Sequence, residues 1–409
     1  MLNFGTYSLL IFIFIIISLI FWFLYLIRTT INFRLIPHLS SVSPNDKKDS
    51  LPMVSVIVPT RNEAYRITDC IKSLKAQTYK NLEILIVDDS TDNTVDVIKK
   101  IVGNDKRFKI IKEEKLTGGW VGKPHAMQQG SRVAKGDWLL FIDADTTHDP
   151  DIITRSVIHS KNNKLDLLSL LSYLVCKTFW EKIIQPIPTG FLIFISPLGK
   201  VNDPKSKVSF ALGPFMFIKR AVFDKLGGYE KIKGRIGDDV EMAKLVKESG
   251  FKIGLAHAQD LMKLRMYECF REIWEGWSKN IFLGLVQKRK IKSKALQALV
   301  VFIGLSVVFG MIVFPFIALI LSALVYLFTN STPWFNLFLF SLIVWIISIS
   351  IQSFAHSRYG IGNPIFSPLY FIGGVITMGI FLNSAIKTMS GSGVKWKGRT
   401  YTDFVQKKE

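Results

Sequence analysis

Asp143 and Asp145 stand two residues apart in "WLLFIDADTTHDP" (138–150), directly after an unbroken apolar run. In an extended chain, residues i and i+2 point to the same side. Both carboxylates can then approach one hard divalent cation, Mg²⁺ or Mn²⁺, directly or through its water. A cation so placed neutralises a diphosphate, a task that needs charge rather than redox chemistry. The competing assignment is a solvated turn in which Asp149 caps a helix opened by Pro150.

Further groups of the same kind follow other apolar runs. Asn62 and Glu63 sit in "VPTRNEAYRITD", near a helix start, where they serve equally as capping groups. Asp88 and Asp89 in "IVDDSTDNT" cap the next helix or accept from the ring N–H of a uracil or from ribose hydroxyls. The stretch "LTGGWVGKPHAMQQG" (116–130) is glycine-rich but fails the P-loop pattern, because Lys123 is followed by Pro124 rather than Ser or Thr. Its chemistry is that of a flexible loop delivering one lysine to a diphosphate, with His125 a structural helix residue. Asp238 and Asp239 open the amphipathic "GDDVEMAKLVKESG", either as N-terminal helix charges or as a general base that takes a proton from an acceptor hydroxyl.

The elements that must position these groups are short. "VSVIVP" (54–59), "LEILIVDD" (82–89), "FKIIK" (108–112) and "WLLFIDAD" (138–145) read as strands buried on both faces, with helical stretches at 64–76, 92–102 and 123–133 between them. This alternation predicts a parallel α/β sheet, and such sheets bind ligands beyond the carboxyl ends of their strands. The clusters at 61–63, 88–89 and 143–145 therefore converge on one edge.

The apolar excess (49% hydrophobic residues, mean hydropathy +0.29) is concentrated at the two ends. "LLIFIFIIISLIFWFLYLI" (9–27) is uncharged and long enough to cross ~30 Å of hydrocarbon. With no basic stretch before it and no small-residue cleavage site after it, it reads as an anchor rather than a signal peptide. Apolar stretches at 295–328, 333–354 and 365–386 contain no Asp, Glu, Lys or Arg, which argues against an ion-coupled transporter. Gly310 and Pro315 suggest a break in the first of these, giving two crossings there and four after the catalytic region. The net charge of +20 fits anionic headgroups of the cytoplasmic leaflet better than nucleic acid. Arg28, Arg34, Lys47 and Lys48 after the first span put the middle of the chain on the cytoplasmic side. Cys70, Cys176 and Cys269 are few and widely spaced, as in a reducing compartment. In "MYECFREIWEGWSKNIFLGL" (266–285), aromatic and charged residues interleave; Trp274 and Trp277 belong either at headgroup depth or in a core, as does "FLIFISPLGK" (191–200).

Taken in order, VPTRNE, VDDSTDNT, GKPHAMQQG, FIDAD, GPFMFIKRAVFDKLGGYE, GDDVEMA and the Trp-rich segment resemble the family 2 glycosyltransferases of GT-A fold, across roughly residues 52–285. The flanking spans, "GGWVGK" and "REIWEGWSKN" look most like the carotenoid, hopanoid and ceramide-type lipid glycosyltransferases. The resemblance implies that Pro59, Glu63, Asp88 and Asp89 hold the nucleotide, with Asp143 beside it and Lys123 on its diphosphate. Asp143 and Asp145 would take the metal, Asp145 directly, and Asp239 would be the catalytic base with Asp238 as its pair. Gly213, Pro214, Phe215, Trp274 and Trp277 would lie on the acceptor side. The Gln-x-x-Arg-Trp motif of processive members is missing, with Ile273 and Gly276 in place of Gln and Arg.

The implied enzyme is an integral protein of the cell membrane with a Rossmann-like, mostly parallel α/β catalytic domain. It inverts the anomeric centre while moving a sugar from a nucleotide-sugar, UDP-linked by preference, to a hydroxyl or carboxyl of a membrane lipid. The implied boundaries are an anchor (1–30), a linker (31–51), the catalytic domain (52–260), amphipathic interfacial helices (261–292), a membrane region (293–388) and a basic cytoplasmic tail (389–409). The alternatives are a processive polysaccharide synthase, a glycosidase using paired carboxylates and a non-catalytic membrane scaffold or transport component.

Overall fold

The apolar runs form the expected strands: β1 (Val54–Thr60), β2 (Leu82–Asp88), β3 (Phe108–Lys112) and β4 (Trp138–Ile142). Eight more follow among the described residues, β5 (Thr146–His148), β6 (Leu167–Leu171), β7 (Tyr173–Leu174), β8 (Phe215–Lys219), β9 (Ile253–His257), β10 (Met262–Leu264), β11 (Val394–Trp396) and β12 (Arg399–Tyr401). The structure, a computed structural model, describes residues 4–45, 51–116, 118–235, 237–289, 293–392, 394–396 and 399–401. Lys47 and Lys48 and most of the basic tail thus lie outside the described residues.

The chain divides into two compact units. One holds Arg34–Val175 and Pro197–Met266. Its main sheet runs β3-β2-β1-β4-β8-β6-β9, and a smaller one runs β5-β10-β7. In the main sheet β8 alone is antiparallel to its neighbours β4 and β6. Val54, Val56 and Val58 on one face of β1 and Ile57 on the other are all fully buried, which is why the strands read as continuous rather than alternating apolar runs.

Register aligns the functional ends. Thr60 pairs with Asp88 across β1 and β2, and Ile57 with Phe141 across β1 and β4. Because β8 runs the other way, its first residue, Phe215, pairs with Ile142, the last of β4. The chain entering β8, Gly213-Pro214, is thereby laid beside Asp143. Helices Ile67–Lys75, Thr94–Val102 and Gly122–Val133 follow β1, β2 and β3.

The other unit holds the residues up to Phe33, Cys176–Ser196 and the residues from Tyr267 on. Apart from the antiparallel pair β11–β12 it is helical, and among the described residues four helical segments are long and apolar enough to cross a membrane: Tyr7–Arg34, Lys294–Thr329, Thr332–Tyr359 and Pro364–Met389. Three follow residue 266, where four were expected. The long run is one helical element of 36 residues, about 54 Å at ~1.5 Å per residue. It passes Gly310 and Pro315 through a π-helical turn, Phe309–Val313, instead of folding back. Proline at 315 removes the N–H that would reach the carbonyl of Met311. The Trp22 indole Nε1–H donates to that carbonyl at 3.1 Å, so the break is satisfied within a continuous helix. The basic tail, expected on the cytoplasmic side, required an even number of crossings after the catalytic region, and three candidate spans do not supply it.

Two boundaries also shift. Residues 176–196, expected inside the catalytic domain, belong to the helical unit, where Phe191 and Phe194 of helix Pro186–Ile195 pack with Trp22, Tyr25 and Ile187. Residues 261–266, expected with the interfacial helices, belong to the sheet unit through β10. Helix Phe270–Arg289 starts later. Within the helical unit Trp277 is buried at 7% exposure against Tyr267, in a core rather than on an exposed face. Trp274 packs on Phe270 and over Gly379.

Candidate active site

Carboxylate-bearing loops emerge at the aligned ends of β1, β2 and β4, and the start of helix Asp238–Glu248 meets them beside Gly213, on the approach to β8. After β4 the strand stops at Ile142, and Ala144-Asp145 form a turn into β5, held by Thr146 Oγ1 donating to the Asp143 carbonyl at 2.6 Å. The pleat argument for a same-side D-x-D pair therefore does not apply, since a turn carries the two residues. Helix Ile152–Asn162 also opens later than expected, with Asp151 rather than Asp149 at its N-cap. The Cys70 thiol lies beneath this turn, within 3.8 Å of the Asp143 carbonyl, and burial pushes it up to about 12. It is an inert packing group.

Asp143 is ion-paired with Lys123, Nζ to Oδ1 at 2.5 Å. Asp239 lies in the first turn of helix Asp238–Glu248, which Gly237 starts from a left-handed φ of +80°, a conformation glycine adopts without cost. The Asp239 carboxylate accepts from two backbone N–H groups, Val240 to Oδ1 and Gly213 to Oδ2, both at 2.8 Å. A Cβ on Gly213 would lie 2.8 Å from Lys123 Nζ, 3.4 Å from Asp239 Oδ2 and 3.8 Å from Asp143 Oδ2. Lys123, Asp143 and Asp239 thus converge on a spot only glycine leaves open.

Withdrawal from water raises the Asp239 carboxyl to about 6, and the neighbouring Asp238 charge adds to this, against the opposing pull of Lys123 and the two backbone donors. Burial works against the Lys123 ammonium, but Asp143, Asp238 and Asp239 more than offset it and hold the ammonium well above the usual lysine range. Asp238 Oδ2 is shielded from solvent and has no hydrogen-bond partner among the described residues. The Tyr229 hydroxyl is in the same situation, and after burial the charges of Asp238, Asp239 and Asp143 hold it protonated.

The remaining predicted residues divide by what they touch. Asp88 is buried and occupied: it accepts from Thr60 Oγ1 and Ser90 Oγ at 2.6 Å and from Ser90 N at 3.1 Å, so it shapes the loop after β2. Asp89, more exposed, pairs with Arg61 across the sheet edge. Glu63 is buried and paired with Arg66 at 3.0 Å, a partner visible in sequence as the basic residue three positions on. Pro59 is half-buried at the end of β1. His125 is a structural residue, as expected, with Nδ1 2.7 Å from Glu113 Oε1.

Phe215 requires correction. It is fully buried in the core between the sheet and its helices, so it cannot touch an acceptor, whereas Gly213 and Pro214 stand at the edge. Trp274 and Trp277 belong to the helical unit, and their acceptor role stays an expectation drawn from the resemblance.

Among the described residues no three His, Cys, Asp or Glu side chains are grouped to hold a metal. Carboxylates from Asp143 and Asp145 are hard oxygen donors, and Mg²⁺-like ions characteristically take one or two protein carboxylates and complete their shell with substrate phosphate and water. The donor set fits such an ion.

Residues 55–227 match the family model described as Glycosyl transferase family 2. They are a family 2 glycosyltransferase domain. The chain is 24% identical over 245 residues to a 4,4'-diaponeurosporenoate glycosyltransferase of Staphylococcus haemolyticus, a match spanning 58% of this chain but only 64% of that relative. A protein of the same name from Staphylococcus aureus strain USA300 is 23% identical over 356 residues, 85% of this chain and 88% of the relative. Among solved structures, the mannosyltransferase PcManGT from Pyrobaculum calidifontis, in complex with GDP-Man and Mn²⁺, aligns with a TM-score of 0.52 at 16% identity, over 92% of this chain and 98% of that one. That likeness shows a shared GT-A-like fold.

Gly276, where processive members carry Arg, faces the Tyr267 ring so closely that a Cβ would lie 2.4 Å from it. An arginine has no room there in this packing.

Proposed function

We propose that this glycosyltransferase moves a sugar from a nucleotide-sugar donor, preferably a UDP-sugar, to a hydroxyl or carboxyl group of a membrane lipid, on the cytoplasmic side of the cell membrane and with inversion. The observation that carries the reading is the meeting of Lys123, Asp143 and Asp239 at Gly213 on the edge where β1, β2 and β4 end. Asp89 and Arg61, at the neighbouring strand ends, are available to a nucleoside. The half-exposed Lys123 is placed to hold the departing diphosphate. Asp143 and Asp145 would hold a divalent ion, which would supply further charge neutralisation there.

Asp239 takes the proton of an acceptor hydroxyl; an ionised carboxyl acceptor needs no base, so the demand on Asp239 belongs to the hydroxyl case. Attack from the face opposite the diphosphate inverts the centre. The lipid acceptor is supported by the four apolar helices and by the carotenoid-type names of the relatives. The basic residues Arg28 and Arg34, at the C-terminal end of the first apolar helix, support the cytoplasmic side. A processive synthase is disfavoured by Gly276 and its contact with Tyr267.

The metal assignment is tested by titrating Mn²⁺ against UDP binding. Asp145→Ala abolishes the metal-dependent part, and an unchanged titration contradicts the assignment. The base assignment has a pH signature. Asp239 works only when deprotonated, and its carboxyl is raised to about 6, so kcat/KM on a hydroxyl acceptor falls as pH drops below about 6. A rate that stays flat down to pH ~4, the ordinary carboxylate range, contradicts it.

A further inference from the structure

Lys123 occupies an unusual place for a cation. It lies in the first turn of helix Gly122–Val133, which contains no acidic residue. The partial positive charge of a helix N-terminus disfavours a lysine there and favours an anion. What offsets this is the acidic cluster across the cleft. Nζ is 2.5 Å from Asp143 Oδ1, and Asp239 Oδ2 borders the same Gly213 site. One ammonium therefore serves three carboxylates, Asp143, Asp238 and Asp239, each of which stabilises its charge.

That ammonium has two claims on it. It neutralises Asp143, and on the reading above it also receives the diphosphate. While it sits on Asp143 it opposes a second cation at the same carboxylate, by like-charge repulsion at contact distance and by occupying an oxygen a metal would use. A diphosphate arriving at the helix N-terminus competes with Asp143 for the ammonium, with the helix dipole in its favour.

We infer that Lys123 is a resident counter-cation that competes with the divalent metal for Asp143 and yields it when a nucleoside diphosphate engages the ammonium, so that metal and nucleotide bind cooperatively. The inference rests on the metal and diphosphate roles proposed above. Linkage makes the coupling reciprocal: whatever factor the nucleotide adds to metal affinity, the metal adds to nucleotide affinity. Lys123 acts here as a positioning residue for Asp143, beyond its contact with the leaving group.

The test is Mn²⁺ binding to the full chain in detergent, read by the spectroscopic signal of free Mn²⁺, with and without UDP. In the wild type UDP should tighten Mn²⁺ binding by about 10-fold or more, within the usual range of coupling between sites. Lys123→Met should bind Mn²⁺ without UDP about 10-fold more tightly than the wild type does, and UDP should then tighten it further by less than in the wild type, through its phosphate oxygens alone. Lys123→Arg, which keeps the charge, should retain the coupling and guards against a misfolded Met variant. Unchanged or weaker Mn²⁺ binding by Lys123→Met in the absence of UDP overturns the inference while leaving the site assignment intact, provided Asp143→Asn lowers Mn²⁺ binding. If the wild type takes up no Mn²⁺ even with saturating UDP, the metal site and the inference fall together.

Discussion

Asp239→Asn lowers turnover on a hydroxyl acceptor by at least ~10²-fold, the lower end of what a positioned base contributes. Nucleotide binding should be nearly unchanged. The substitution keeps the shape and an oxygen to accept from Gly213 N or Val240 N, which both donate to this side chain at 2.8 Å. It removes the proton acceptor and one of the charges on Lys123. A loss in kcat and kcat/KM together, with the dissociation constant for UDP preserved, identifies an interaction made in the transition state. Full activity in this variant rules Asp239 out as the base.

Gly213→Ala should reduce turnover by roughly 10- to 100-fold, the size of effect produced by ångström-scale misplacement of reacting groups, while the melting temperature changes little. The new methyl would sit 2.8 Å from Lys123 Nζ, the far end of a flexible side chain. That end can move, so the fold tolerates the change, but moving it breaks the pair with Asp143. Gly310→Ala, in the helical unit, is the control, since a Cβ there meets no atom within 4 Å and should leave turnover unaltered. Equal effects of the two substitutions, measured as kcat with nucleotide and acceptor saturating, contradict the account of Gly213 as the meeting point.

The edge that carries the site was legible because parallel strands fed by helices end together. Runs of buried apolar residues ending in Thr60, Asp88 and Ile142 are enough to align 61–63, 88–89 and 143–145. The contribution of Gly213 was only half visible. The motif placed it near the acceptor, but its N–H to Asp239 depends on β8 entering antiparallel beside β4, a pairing between residues far apart in sequence. Phe215 is misplaced for a related reason: β8 is buried on both faces, so its first residue enters the core directly after the half-buried Pro214. Asp88 looked like a ligand because polar strand ends look alike in sequence, whereas its hydrogen bonds to Thr60 and Ser90 commit it to the loop. Pro315 looked like a helix break because the compensating donor, Trp22, comes from the other end of the chain. Residues 176–196 looked like part of the domain that surrounds them, and only their packing with Trp22 and Tyr25 shows otherwise.

The central claim is that the Lys123, Asp143 and Asp239 cluster performs sugar transfer to lipid. The most direct measurement incubates membranes carrying the wild-type chain or Asp239→Asn with labelled UDP- and GDP-sugars, and analyses the extracted lipids by mass spectrometry. The account predicts a lipid enlarged by one sugar from one donor with the wild type and its near-absence with the variant. No lipid product from any donor, or equal product from both proteins, would contradict it.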